Sequence, residues 1–417
     1  MLVFTAPKTP QMPKRFLFLQ GVSSPFFARL ADSLIAEGHV VFKVDFNCGD
    51  AVYWRPRRAW NFRSAATALP DWLTAKFAAQ GITDVVLFGD RRPIHVAAIG
   101  VANRIGVTVH VFEEGYFRPN WVTLERGGVN KYSALPRDPD WYLRNAPHIS
   151  AQSYQPVHTP LSVRAAHDIA YHLANLGNVI AYRSYQTHRP YNAAIEYAGL
   201  ARRFASLKFY ERKDKIICDQ LLNEKTPFFL LPLQLDSDAQ IREFSTFSGM
   251  REVIDVVVKS FARAAPTDAH LLIKNHPLDT GFVNYSIVIT QVTNECGVND
   301  RVHFIETGDA NPLLAHTLGV VLVNSTVGTA ALDAGKPIKA LADPIYNLAG
   351  LTFQGELDDF WKHGNVPEPV LNAAFRKMVM HATLVNGGFY TQDSIALAVP
   401  GAIRMLTAAK SPIEALL

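Results

Sequence analysis

Cysteine is scarce in this chain: three in 417 residues, Cys48, Cys218 and Cys296, with no paired spacing among them. That excludes a disulfide framework and a cysteine zinc site, and it reads as small buried hydrophobes in a reducing compartment. No stretch approaches the ~20 apolar residues of a membrane-spanning helix. The opening MLVFTAPKTPQMPKR lacks the apolar core of a signal peptide. Both absences predict a cytoplasmic protein that can touch a membrane only from outside. Charge of one sign is also lacking, with 41 Lys plus Arg against 37 Asp plus Glu and a net charge of +4, so composition makes no case for a nucleic-acid partner. The phosphate loop GxxxxGK[ST], a GxGxxG after the first strand, HExxH and the GxSxG elbow are all missing. These absences argue against P-loop nucleotidases, NAD enzymes, zincins and α/β-hydrolases.

What is present is a core. Hydrophobic residues make up 48% and charged residues 19%, enough apolar surface for two or three domains over this length. Short apolar runs alternate with helix-like stretches. RFLFLQ (Arg15–Gln20) precedes FFARLADSLIAEGH; VVFKVDF (Val40–Phe46) precedes a helical stretch near Pro70–Gln80; DVVLFG (Asp84–Gly89) precedes HVAAIGVANRIG and then Val107–Phe112. The alternation resumes at FFLLPLQL (Phe228–Leu235), followed by a helix over Met250–Ala264 and strands at His270–Pro277, Val302–Glu306, Gly319–Asn324 and PIKAL. Between them, Ser162–Arg212 reads as helical. The pattern predicts an α/β fold of two Rossmann-like lobes facing a central cleft. The expected domains are 1–160, a helical linker over 161–225, and 226–417 with the last helices crossing back. Active groups are expected just past the strands' carboxyl ends.

Four such ends carry chemistry. In FGDRRPIH, Asp90 either caps the next helix or joins Arg91, Arg92 and His95 in an anion site, because guanidinium forks match carboxylate and phosphate. In VFEEGYFRPNW, adjacent Glu113 and Glu114 repel each other, so one can carry a proton, while Gly115 lets the backbone approach a ligand and Arg118 follows. In PLQLDSDAQI, Gln234, Asp236, Ser237 and Asp238 follow an apolar run; either Asp caps a helix or serves as nucleophile or sugar ligand. The fourth is a pair: His276-Pro277 after one strand, and Ser325-Thr326 with Gly328 between a strand and a helix. Together they suggest a metal-free seat for a single phosphate. Tyr and Phe interleave with Arg and Lys over 183–213, which reads either as a surface for anionic headgroups or as a solvated helix pair.

The strings FLFLQG, PFFARLADSLIAEGHVVFKVDFNCGD, VVLFGDRRPIH, VHVFEEGYFRPNWVTLERGGVN, KNHPLD and VNSTVGTAALDAGKPIKAL, in this order, resemble the capsule polysaccharide biosynthesis/export family called KpsS, or LipB in some bacteria. The resemblance covers about Arg15 to Leu341. It implies a GT-B-like, retaining β-Kdo transferase using CMP-Kdo (Kdo being an eight-carbon keto-sugar acid) and a lyso-phosphatidylglycerol or lipid-linked acceptor. It also implies a KpsC-like partner enzyme and work at the inner face of the inner membrane, with no cofactor and no metal. The acidic-acidic-Gly, His-Pro and Ser-Ser/Thr motifs of related CMP-sugar transferases fall on Glu113-Glu114-Gly115, His276-Pro277 and Ser325-Thr326. On that footing Asp238 is the expected nucleophile and Glu114 the acid/base, with Asp90 in reserve. Arg91, Arg92, Arg118, His95, Gln234 and Gly21 are expected around the substrate. A sialyl-type CMP-sugar transferase and a non-catalytic export factor are the competing readings.

Overall fold

The computed structural model describes residues 12–187, 193–236, 241 and 243–417. These form two compact units, and the chain enters the first of them three times. One unit comprises residues 12–134, Ser153–Gln186 and Ala382–Leu417; the other comprises Leu135–Gln152 and Thr187–His381. The expected helical linker is therefore divided. The helices Leu161–Asn175 and Asn178–Ala181 go with the first unit, and the long helix Ala193–Asn223 goes with the second. Ala382–Leu417, which carries the last helix, Gln392–Thr407, belongs to the first unit. Among the described residues no helix is long and apolar enough to cross a membrane.

The first unit is built on β1 (Arg15–Phe18), β2 (Val40–Asp45), β3 (Trp60–Asn61), β4 (Asp84–Phe88), β5 (Thr108–Glu114) and β6 (Trp121–Arg126). The second holds β7 (Phe228–Pro232), β8 (His270–Lys274), β9 (Val302–Ile305), β10 (Gly319–Leu322) and β11 (Ile338–Ala340); β12 (Leu384–Asn386) returns to the first. The sheet orders are β12-β6-β5-β4-β1-β2-β3 and β11-β10-β7-β8-β9. The second sheet is parallel throughout. In the first, β1 to β5 run parallel while β6 and β12 are antiparallel additions. Both sheets thus follow the Rossmann order 3-2-1-4-5, which places a topological switch point between β1 and β4 in one unit and between β7 and β10 in the other.

Side-chain alternation explains why both faces of the first sheet are covered. Phe16 and Phe18 of β1 pack with the helices Phe26–Ala36 and Gln392–Thr407, whereas Leu17 and Leu19 pack with Leu69–Gln80 and Pro93–Ile105. In the second sheet Phe229, Leu231, Leu271 and Ile273 meet Val253, Ile254, Val257 and Phe261 of the helix Met250–Ala264. The strand expected over Val107–Phe112 ends later: β5 runs on through Glu114 because β6 pairs with it, Glu113 opposite Thr123 and Glu114 opposite Val122.

Candidate functional site

At the switch point of the first unit, Arg92 spans from β4 to β1. Its Nη1 donates to Gln20 Oε1 at 2.9 Å and to the Gly21 carbonyl at 3.1 Å. Gln20 Nε2 in turn donates to Asp50 Oδ1 (3.3 Å) and Tyr171 Oη (3.0 Å), and the Phe46 N–H donates to Asp50 Oδ2 (3.0 Å). Arg92, expected at the substrate, is thus engaged by the protein. Arg91 lies over the Tyr132 ring at 5.0 Å, and its buried Nε makes no hydrogen bond among the described residues. His95 is buried with Nδ1 2.6 Å from the Gly89 carbonyl, so that N–H tethers the helix to the end of β4. Gly21 is a packing glycine, since a Cβ there would lie 2.7 Å from Phe27 Cδ2.

Three carboxyls stand at the ends of β4 and β5, each with its own partners. The Gly89 N–H donates to the Phe112 carbonyl (2.9 Å), which joins the ends of β4 and β5, and a Cβ on Gly89 would lie 3.5 Å from Glu113 Oε2. Asp90 is 3% exposed, its Oδ2 accepts from the Val129 N–H at 3.2 Å, and burial pushes its pKa up against the opposing pull of that N–H and of Arg91. Glu114 is ion-paired with Arg164 (3.1 Å) and accepts from the Tyr390 hydroxyl (3.3 Å), while Arg164 stacks over the Tyr390 ring at 5.1 Å. Glu113 Oε1 accepts from the Glu114 N–H at 2.9 Å. Asp90 is thus a buried carboxyl biased toward its neutral form, whereas Glu114 is held by a guanidinium. At Gly115 the close neighbour is β6: a Cβ there would sit 2.0 Å from the Trp121 carbonyl oxygen. Arg118 is exposed in the turn between β5 and β6.

In the second unit Gln234 and Asn324 close the switch point reciprocally. Gln234 Nε2 donates to Asn324 Oδ1 (3.0 Å) and the Asn324 N–H donates to Gln234 Oε1 (3.1 Å). Gln234 thus stands between the ends of β7 and β10. His276 follows β8 and Ser325 follows β10, two strands apart, or about 10 Å across the sheet. The Leu278 N–H donates to His276 Nδ1 (3.1 Å), so the neutral ring carries its proton on Nε2. Pro277 is exposed in that turn. The backbone donors past Ser325 are already used: Val327 N–H to Ser325 Oγ (3.2 Å), Gly328 N–H to the Ser325 carbonyl (3.0 Å) and Thr329 N–H to the Thr326 carbonyl (3.1 Å). The helix Val327–Asp333 has only seven residues. The expectation of an open helix start is corrected accordingly; Thr326 is exposed in this turn.

Gly328 has a packing reason. A Cβ would lie 2.3 Å from Tyr346 Cζ, and the buried Tyr346 hydroxyl donates to the Ser325 carbonyl. Gly328→Ala is expected to cost about 1–3 kcal/mol by overpacking, as urea melts would read.

Asp236 is committed to structure. It accepts from the Met250 N–H (2.6 Å) and the Tyr285 hydroxyl (3.0 Å), and so fixes the start of the helix Met250–Ala264. Ser237 and Asp238 lie outside the described residues. Among the described residues no three His, Cys, Asp or Glu side chains are grouped to hold a metal ion. Sequence reasoning missed Gln20, Asp50, Tyr171, Arg164, Tyr390 and Asn324. Gln20 and Asn324 directly follow apolar runs, so the strand-end rule could have found them. The others arrive from distant segments.

Fold and site together define a two-unit Rossmann-like α/β protein with a polar cluster at each switch point. The sequence pattern of the family described as capsule polysaccharide biosynthesis protein matches residues 83–390, and the chain belongs to that family. Capsule polysaccharide modification protein LipB of Neisseria meningitidis serogroup A is 36% identical over 391 residues, covering 91% of this chain and 92% of its own. Capsule polysaccharide export protein KpsS of Escherichia coli is 33% identical over 378 residues, covering 90% and 97%. A solved structure of KpsC from Thermosulfurimonas dismutans, titled a beta Kdo 2,7 transferase, covers 94% of this chain and 99% of its own at 14% identity and a TM-score of 0.43.

Proposed function

We propose that the chain is a retaining β-Kdo glycosyltransferase of the GT-B type. It transfers Kdo from CMP-Kdo to lyso-phosphatidylglycerol or a lipid-linked acceptor, in building the linker of a capsular polysaccharide, with a KpsC-like enzyme as its partner at the inner membrane face. The observation that carries this reading is Asp90, a buried carboxyl with a raised pKa held by the Val129 N–H just past the end of β4. The names of the relatives support the capsule context. In the second unit, CMP leaves with a phosphate that gains charge as the glycosidic bond breaks. The Nε2–H of His276 and the hydroxyls of Ser325 and Thr326 meet that charge. Kdo carries its own carboxylate next to the anomeric carbon, and Arg91 and Arg118 are the guanidiniums with capacity for it.

Retention takes two displacements, hence a nucleophile and a separate acid/base. The acid/base role, first expected at Glu114, fits Asp90 better, because Glu114 is held by Arg164 whereas burial biases Asp90 toward the proton-bearing form. Asp238 remains the proposed nucleophile, and an Asp238→Asn variant with full activity rejects it. The test is incubation with CMP-Kdo and a fluorescent lyso-phosphatidylglycerol, followed by mass analysis. One or more Kdo additions are expected, and His276→Ala is expected to lower the rate about 100-fold. Use of CMP-sialic acid in place of CMP-Kdo would reassign the donor, and protein that neither binds CMP nor transfers sugar is an export factor.

A further inference from the structure

The helix Leu161–Asn175 and the short helix Asn178–Ala181 that continues it are turned inside out. A surface helix normally buries its apolar stripe and shows water its polar side. Here the polar side faces the protein. Arg164 pairs with Glu114, His167 Nδ1 lies 3.0 Å from the Tyr53 hydroxyl, and Tyr171 donates to Asp50 (3.2 Å). Asn175 and Asn178 accept the N–H groups of Gly49 and Cys48, each at 2.8 Å. The outward side carries Ile169, Leu173, Leu176, Val179 and Ile180, exposed by 44%, 61%, 71%, 72% and 78%. Contiguous exposed aliphatics of this kind mark a contact surface.

The surroundings of the stripe say what it contacts. Residues 161–186 contain a single acid, Asp168, and it is not on the exposed side. Where the stripe ends, exposed Arg63 stacks over the Tyr182 ring at 5.6 Å and Arg183 is exposed beside it. Cys48 packs against Gly177 under the stripe, and both Arg55 and Arg63 act electrostatically on its thiol, so a second cation flanks the same edge. Five aliphatics on one ridge make too small a patch for the ~800 Å² per partner of a stable protein interface. A ridge of aliphatics rimmed by arginines is, however, the recipe for lying in the headgroup layer of an anionic bilayer. We infer that this face docks the protein on anionic phospholipid. The inference deepens the transferase reading, and rests on it only in saying where a lipid acceptor is met.

Flotation of the full-length protein with phosphatidylcholine/phosphatidylglycerol vesicles tests it, without any sugar donor. The wild type is expected to float at low salt and to leave pure phosphatidylcholine vesicles unbound. Leu173→Glu with Leu176→Glu, both outside the proposed active site and both exposed, is expected to cut binding at least about tenfold with an unchanged melting temperature. Arg63→Gln with Arg183→Gln is expected to weaken binding and flatten its salt dependence. A wild type that does not float, a double-Glu variant that floats equally well, or equal binding to neutral vesicles overturns the proposal. So does a double-Glu variant whose only change in sedimentation is loss of a dimer, which makes the face a contact between copies. Kdo transfer to a detergent-dispersed acceptor is untouched by any of these outcomes. Binding without transfer rejects the transferase reading alone.

Discussion

Asp90→Asn is expected to make the protein more stable at neutral pH while lowering sugar transfer about 10²–10⁴-fold. The two effects have one cause. Asp90 is buried, and burial disfavours its charged form strongly enough that the Val129 N–H and Arg91 do not restore the ordinary value. A carboxyl whose folded pKa lies above its unfolded value of about 3.8 binds more protons in the native state. Its contribution to stability is therefore fully present below the unfolded value and is lost as pH rises through the folded one. The unfolded chain's carboxyl ionises freely as pH rises to neutrality while the buried one resists, so the wild type loses stability there; asparagine has no proton to lose yet still accepts from the Val129 N–H. Thermal melts across pH read the sign directly. The variant's advantage is largest near neutrality and shrinks as pH falls toward 4. Transfer falls because the amide neither takes nor gives the proton. A variant with full transfer rejects Asp90 as acid/base, and one destabilised at neutral pH rejects the burial argument.

Asp90 also shows how far the sequence could be read. Alternating apolar runs placed β1, β2, β4 and β5, and the strand-end rule pointed at Asp90, Glu113 and Glu114. The partners that give these carboxyls their chemistry were illegible. Arg164 and Tyr390 come from a helix after residue 160 and from the C-terminal segment, with no local spacing linking them to Glu114. β6 was overlooked because RPNWVTLER is too polar and too interrupted to read as a strand; its pairing with β5 supplies what its own pattern lacks. The glycines illustrate the same limit. Gly115, Gly21 and Gly328 looked like ligand-approach positions, yet each makes room for a protein neighbour: a carbonyl, a phenyl ring and a phenol ring. The inverted helix could not be recognised from periodicity, because an amphipathic pattern gives the stripe and not the side on which the protein lies.

Replacing Arg203 with methionine is expected to cost about 3 kcal/mol, the lower end of what breaking a buried ion pair costs. Arg203 is 6% exposed on the helix Ala193–Asn223, and its Nη1 lies 2.7 Å from Glu306 Oε2 and 3.6 Å from Asp279 Oδ2. The lower end applies because the Glu306 side chain keeps 17% exposure, and water can partly compensate the carboxylate left behind. The same Glu306 oxygen accepts from Asn275 Nδ2 at 2.7 Å, and Asn275 Oδ1 accepts from the His276 N–H at 2.7 Å. Asp279 Oδ2 accepts from the Gly281 N–H at 2.9 Å, closing the loop after His276 from its far side. Arg203 therefore braces the main chain at His276, acting through Glu306 and Asn275. Its loss is expected to weaken CMP binding beyond the effect on stability, while a second change, Glu306→Gln, recovers part of the stability by removing the orphaned charge. Urea melts of the single and double variants measure the first effect, and calorimetric titration with CMP at a temperature where both are folded measures the second. If Arg203→Met melts like the wild type, the pair is solvated in solution. If stability falls but CMP affinity does not, the network holds the helix without orienting His276.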